Sequence, residues 1–296
     1  MNMQATAERT PRKYIWGYSG GAILVTVALV VAPLGYAVWA SFFSYSFASP
    51  EPVPVGFANY LRMLQDPALA SAVAATGWIV LPSIVIEMTV GVGWALAINS
   101  LPRGRAIATT LLALPVMVSG ASAGMAFRML FTPEWGPIDN LVRPLTGTSI
   151  DWLGSPELAR IAIVVADVWQ NTPFVMLITL AALAGIPKEV NEAAAVDGAN
   201  GVQRFATITF PLIRKFLVVA LLFRLIDLFR IFDVIFVMTS GGPSGATETI
   251  SYFIYRQGIQ YFDVGYAASL GLVLALITVL ISGVLIRLLE GRRPRD

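Results

Sequence analysis

The chain has 296 residues, 56% of them hydrophobic and only 13% charged, with a net charge of +2, whereas soluble globular chains are about one quarter charged. That balance excludes a water-soluble core as the organising unit and points to a bundle of membrane spans. With neither cysteine nor histidine, the chain has no thiolate or imidazole metal site, no Cys or Ser-His nucleophile pair and no histidine proton relay.

In chain order, Arg9, Arg12 and Lys13 precede an apolar run from Trp16 to about Ser44. It far exceeds the roughly 7–15 residues of a signal-peptide core and reads as a retained first span. Further spans are expected at 70–98, 107–131, 161–184, 216–238 and 264–288. Each supplies the roughly 20 helical residues that cross the hydrocarbon, and helices satisfy the backbone polar groups there. Pro33, Pro82, Pro115 and Pro173 should kink these helices rather than end them. The expected fold is all-α, a polytopic membrane protein with six transmembrane helices over 16–288, between tails at 1–15 and 289–296.

The cations orient the bundle. Arg9, Arg12, Lys13, Arg103, Arg105, Lys188, Arg204, Arg214, Lys215, Arg287, Arg292, Arg293 and Arg295 all fall on one side, 13 of the 20 in the chain. Arg62, Arg143 and Arg256 lie in the opposite loops. Positive-inside reasoning puts both termini in the cytoplasm, and cations beside spans report topology rather than nucleic-acid binding. Three loops then face outward. One holds Gly56-Phe57-Ala58-Asn59-Tyr60, the second Pro133-Glu134-Trp135-Gly136-Pro137, and the third Ser240-Gly241-Gly242-Pro243 with Tyr252, Phe253, Tyr255, Tyr261 and Phe262. Their aromatics read as an interfacial belt; a docking surface is the alternative.

Between the fourth and fifth spans, about 186–215, the sequence turns polar. The pattern predicts a helix over 189–196, turns at Asp197-Gly198 and Asn200-Gly201, and a second helix over 202–208 before Pro211. Physics alone is equally content with an ordinary helical hairpin. Lys13, Lys188 and Lys215 are the only lysines and none follows a glycine, so the chain has no P-loop.

Glu192-Ala193-Ala194, three residues, Gly198, nine residues, Ile208 and then Pro211 resembles the EAA loop of the inner-membrane permeases of binding-protein-dependent ABC importers. Phe210 departs from that pattern, standing where Leu is usual. The resemblance extends to 56–60, to Trp169–Phe174, to Ile186-Pro187-Lys188-Glu189 and to Gly241-Gly242-Pro243 with Thr247, all similar to the carbohydrate-uptake branch. Phe223-Arg224-Leu225-Ile226-Asp227 with Phe229-Arg230-Ile231-Phe232-Asp233 resembles a MalF-like or trehalose-type permease subunit. The resemblance implies a type I ABC importer transmembrane fold in a bacterial or archaeal cytoplasmic membrane, and import of a di- or oligosaccharide. It implies a homologous MalG-like second permease, two ATPase subunits that use ATP and Mg, and an extracytoplasmic sugar-binding protein. This chain would bind no cofactor and do no bond-making chemistry. Glu192 would contact the ATPase, Ala193 and Ala194 would allow close helix approach, Gly198 would make the turn, and Ile208 and Pro211 would anchor the second helix.

Ionisable residues at membrane depth face a protein interior or a watery cavity. Arg224, Asp227, Arg230 and Asp233 recur at intervals of three, a spacing at which Arg224–Asp227 and Arg230–Asp233 could pair. Structural pairing and a substrate path are both open for them, as they are for Asp167, Trp169, Gln170 and Asn171 ahead of Pro173. Glu87 in the second span has no partner readable from sequence. Within the ABC reading, glycerol phosphate or a polyol is the alternative cargo; an ion-coupled secondary transporter is the competing class, but the internal repeat it would call for is not evident.

Overall fold

The computed structural model describes residues 12–46 and 49–290. Arg9, Arg292, Arg293, Arg295 and most of the two expected tails lie outside the described residues. The chain divides into two compact units, one of residues up to Leu64 with Gln257–Leu272, the other of Gln65–Arg256 with the residues from Val273 on.

The first unit begins with helix α1, Arg12–Ser41, which continues through Pro33. Where the sequence predicted helix to about Ser44, a two-stranded antiparallel hairpin starts instead: β1, Phe43–Ser46, pairs with β2, Ser49–Pro54. Helix α2, Ala58–Gln65, follows. Asn59 is buried in this unit, and its amide donates to the carbonyls of Ser41 at 2.9 Å and Phe43 at 3.1 Å. Arg62 pairs with Asp263 at 2.6 Å and lies 3.9 Å over the Tyr266 ring. The 56–60 motif therefore has a mechanical use, since it clamps the end of α1 to the start of the hairpin.

The second unit is helical. Asp66 caps α3, Pro67–Ser100, by accepting from the amides of Ala68 and Leu69, with Pro67 at the first helical position where no N–H is needed. Helix α4, Arg105–Ala113, ends in a 3₁₀ turn at Leu114–Met117, and α5, Gly120–Leu130, leaves at 94° to it. Pro115 breaks this span instead of kinking it: the backbone becomes extended at Val118 and Ser119 starts a new helix by accepting from the Ser122 amide. Helix α6, Pro137–Thr146, links α5 to α7, Pro156–Ala184. Helices α8, Lys188–Val196, and α9, Gly201–Arg204, precede a π-helical turn at Phe205–Thr209 and α10, Phe210–Phe229. Beyond lie α11, Asp233–Met238, α12, Ile250–Tyr255, and α13, Val264–Glu290, whose first residues belong to the other unit.

By length and composition four helices among the described residues can cross a membrane: α1 over Ile23–Ser41, α3, α7, and α13 over Val264–Arg287. The bent pair of α4 and α5 makes a fifth if counted as one span. The six uninterrupted spans predicted from sequence are thus corrected at two places. The third is bent, and the stretch 216–238 is two helices separated at 230–232, the first of them carrying Arg224 and Asp227.

Helices α3 and α7 form the spine of this unit. Small buried residues, Ala72, Ala75 and Ala95 on α3 and Ala159, Ala162 and Ala166 on α7, permit the close packing that membrane helices rely on. One core gathers Ile79, Ile163, Phe127, Ile235 and Met238; a second gathers Ile98, Met176, Leu180, Leu183, Ile213 and Leu217. Tyr252 and Phe253 are buried, so these two aromatics belong to the core and not to an interfacial belt.

Candidate functional site

The predicted helix-turn-helix at 186–215 is present with one change. Helix α8 ends at Val196, and the amides of Asp197 and Ala199 return to the carbonyls of Ala193 and Ala194, each at 3.0 Å. Gly198 turns the chain at φ +72°, a left-handed conformation that a Cβ resists. Asn200 and Gln203 then form a reciprocal capping box, which fixes where the next helix starts. That helix does not stop at Ile208. It passes through the π turn, where the Phe210 amide reaches the Phe205 carbonyl, directly into α10. The extra residue in the turn lets Pro211, which has no N–H, enter the helix at its start. Glu192, Ala193, Gly198 and Pro211 are exposed, Ala194 is buried and Ile208 is half-buried.

Along α10 the buried residues Ile213, Leu217, Ala220, Arg224 and Leu228 recur at steps of three and four, a single helical face. Arg224 therefore points into the bundle. Its Nε donates to Glu87 Oε2 at 2.6 Å, and its Nη2 donates both to Glu87 Oε1 at 2.7 Å and to Asp167 Oδ2 at 3.1 Å. Asp167 Oδ1 also accepts from the Asn171 amide at 2.9 Å. One guanidinium so joins α3, α7 and α10, and the two-pronged contact with Glu87 exploits the planar fork of arginine. Glu87, whose partner sequence reading left blank, is the first carboxylate on that fork.

Of the two pairs expected at i, i+3, Arg224–Asp227 is present as a long contact and Arg230–Asp233 is not formed. Arg224 and Asp227 approach only to 3.7 Å, with the Asp227 side chain 64% exposed. Among the described residues no ion pair joins Arg230 to Asp233, because the helix that would align them ends at Phe229. The break is held from a distance: Ser251 Oγ donates to the Phe229 carbonyl at 3.0 Å and Thr249 Oγ1 to the Ile231 carbonyl at 3.2 Å. Arg230 and Asp233 are both exposed.

The residues ahead of Pro173 diverge as well. Gln170 Nε2 donates to the Val118 carbonyl at 2.7 Å, tying α7 to the bend between α4 and α5. Trp169 stays 41% exposed with its ring edge-on to Phe127. Across the same region Arg128 donates to the Val237 carbonyl at 3.0 Å, joining α5 to α11. The pieces of the two broken spans thus pack on one another.

Residues 89–294 match the family described as "Binding-protein-dependent transport system inner membrane component". The chain is 33% identical over its whole length to the trehalose/maltose transport system permease protein MalF of Thermococcus litoralis, and that alignment also covers 100% of MalF. It is 34% identical to the sulfoquinovosyl glycerol transport system permease SmoG of Agrobacterium fabrum, with 92% of this chain and 88% of SmoG covered. A bacterial alginate ABC transporter, solved in complex with an alginate pentasaccharide-bound periplasmic protein, shares the fold at a TM-score of 0.81 and 22% identity over 93% of both chains. The chain belongs to the family of inner-membrane components of binding-protein-dependent transport systems, as a permease subunit of an ABC importer with the type I transmembrane fold.

Proposed function

We propose that this subunit carries a di- or oligosaccharide across the cytoplasmic membrane, driven by ATPase subunits that grip the 186–215 segment. The observation that carries this reading is the unbroken helical path from the Asn200 cap to Phe229. It puts the second half of the 186–215 segment and the Arg224 clamp on one mechanical element, to which α8 is joined through the Gly198 turn. Closure of two ATPase subunits on α8, with Glu192 as the charged contact and Ala193 and Ala194 admitting close approach, would tilt α10 and bear on α3 and α7 through Arg224. The cation distribution supports a cytoplasmic position for this segment and both termini. A homologous second permease would complete the pathway, and an external sugar-binding protein would deliver the cargo, a delivery that the family description favours. ATP and Mg are used on the ATPase chains, and this subunit makes and breaks no bonds.

Sugar would be met by Trp169, Gln170 and Asn171 on α7 and by Asp227, Arg230 and Asp233 around the break, where exposed charges and an aromatic ring suit hydroxyls and an apolar sugar face. Asp167, with both oxygens engaged, acts as a positioning residue.

Gly198→Pro tests the coupling. Proline fixes φ near −65° and is incompatible with the left-handed turn. In the assembled complex the variant should insert normally while losing uptake and substrate-stimulated ATP hydrolysis; normal transport by it would refute the role given to the turn.

A further inference from the structure

Two short helices carry their polar and apolar faces the wrong way round for contact with water. In α2, Asn59 is buried and Arg62, half exposed, reaches across to Asp263, so the polar side is the one turned toward the protein. The opposite stripe, Phe57, Leu61 and Leu64 at steps of four and three, is 68%, 60% and 84% exposed. In α6, Asp139 is buried and accepts from the Ile150 amide at 2.8 Å, the Glu134 amide at 2.9 Å and the Ser149 hydroxyl at 2.8 Å. Those bonds pin both flanks of the helix, and Gly136 lets the chain turn so closely that a Cβ there would run into the Leu130 and Thr132 carbonyls. Leu141 and Leu145 then project at 75% and 86% exposure, with Trp135 beside the helix at 83%. A surface helix in water shows the reverse arrangement.

Chain connectivity fixes where each helix lies. Helix α6 enters α7 at the end remote from the 186–215 segment, and α2 leads through Asp66 into the corresponding end of α3. The exposed apolar surface also continues along the chain into each helix, from Met125 and Met129 on α5 toward Trp135, and from Val38 and Trp39 on α1 toward Phe57. Amphipathic helices with a tryptophan at such a level lie in the boundary between headgroups and acyl chains.

From these two helices we infer that the apolar stripes of α2 and α6 insert into the lipid leaflet on the side away from the coupling segment, holding the ends of α3 and α7 at the membrane surface. The inference rests on the membrane placement of α3 and α7 and is independent of the cargo.

The chain has no cysteine, so in a complex assembled with cysteine-free partner subunits single spin labels report without background. Leu64→Cys, Leu145→Cys and Asn140→Cys would be labelled in the complex reconstituted in lipid vesicles, Asn140 being exposed on α6 to one side of the Leu141–Leu145 stripe. Labels at 64 and 145 should be oxygen-rich and several-fold less accessible to a water-soluble nickel chelate than the label at 140, and addition of the binding protein should leave them unchanged. In a parallel readout on the unlabelled protein, Trp135→Phe should reduce quenching by lipids brominated near the headgroup. Equal nickel access at all three positions would overturn the inference. Nickel access that disappears at 64 and 145 when the binding protein is added would overturn it too, assigning the stripes to protein docking.

Discussion

At the scale of single residues, Arg224 ties the bundle together. Glu87 and Asp167 are buried with it, their side chains 0% and 6% exposed. Removing one partner from a buried ion pair leaves an uncompensated charge at a cost of about 3–5 kcal/mol. Arg224→Met should therefore lower the thermal stability of the purified complex by about that amount, measured by denaturation in detergent. Asp227→Asn should leave stability unchanged, because Asp227 is exposed and 3.7 Å away; an equal loss in both variants would mean that Asp227 belongs to the clamp. Sequence could announce that Arg224 sits at membrane depth but not whom it meets. Helical spacing exposes neighbours three or four residues apart, while Glu87 lies 137 positions away and is brought in only by the packing of α3 against α10.

At the scale of elements, the chain advertised some breaks and concealed others. The turns at Gly198 and Asn200-Gly201 and a distortion at Pro115 were readable because each changes backbone options locally; that Asn200 also caps the next helix was not. What proline did at Pro115 depended on context, since Pro33, Pro82 and Pro173 lie inside continuous helices. The break at 230–232 has neither Pro nor Gly; it exists because hydroxyls 18 and 22 residues further on take up the freed carbonyls. Thr249→Val should cost about 1–3 kcal/mol by orphaning the buried Ile231 carbonyl and Ser251→Ala less, because the Phe229 carbonyl is partly exposed, both seen as lower melting temperatures; no change would show that the break is held by other contacts. The 134–150 lobe has its own pH dependence. The Ile150 amide, with the Ser149 hydroxyl and the Glu134 amide, holds the Asp139 carboxyl below the usual carboxylate range against the opposing effect of burial. A depressed pKa stabilises the fold above the unfolded value of about 3.9 and is lost as pH falls through the folded value. Trp135 emission should thus stay constant from about pH 7 to about pH 5 and change only in stronger acid, whereas Asp139→Asn should loosen the lobe already at neutral pH, read as faster amide exchange across 134–150.

At the scale of the whole molecule, composition disclosed the membrane and the spacing of the 192–211 segment disclosed the family, both of which the comparisons bear out. The uninterrupted spans did not survive, because hydropathy registers apolar length and is blind to a bend or to a hydroxyl that stabilises one. The most direct measurement of the central claim is flux of a radiolabelled disaccharide into vesicles containing this chain with its partner permease, ATPase subunits and cognate binding protein. Uptake should require ATP and the binding protein, persist when a protonophore collapses the ion gradient, and stop when the ATPase carries a dead nucleotide site. Uptake by this chain alone that follows an imposed ion gradient and ignores ATP would contradict the account.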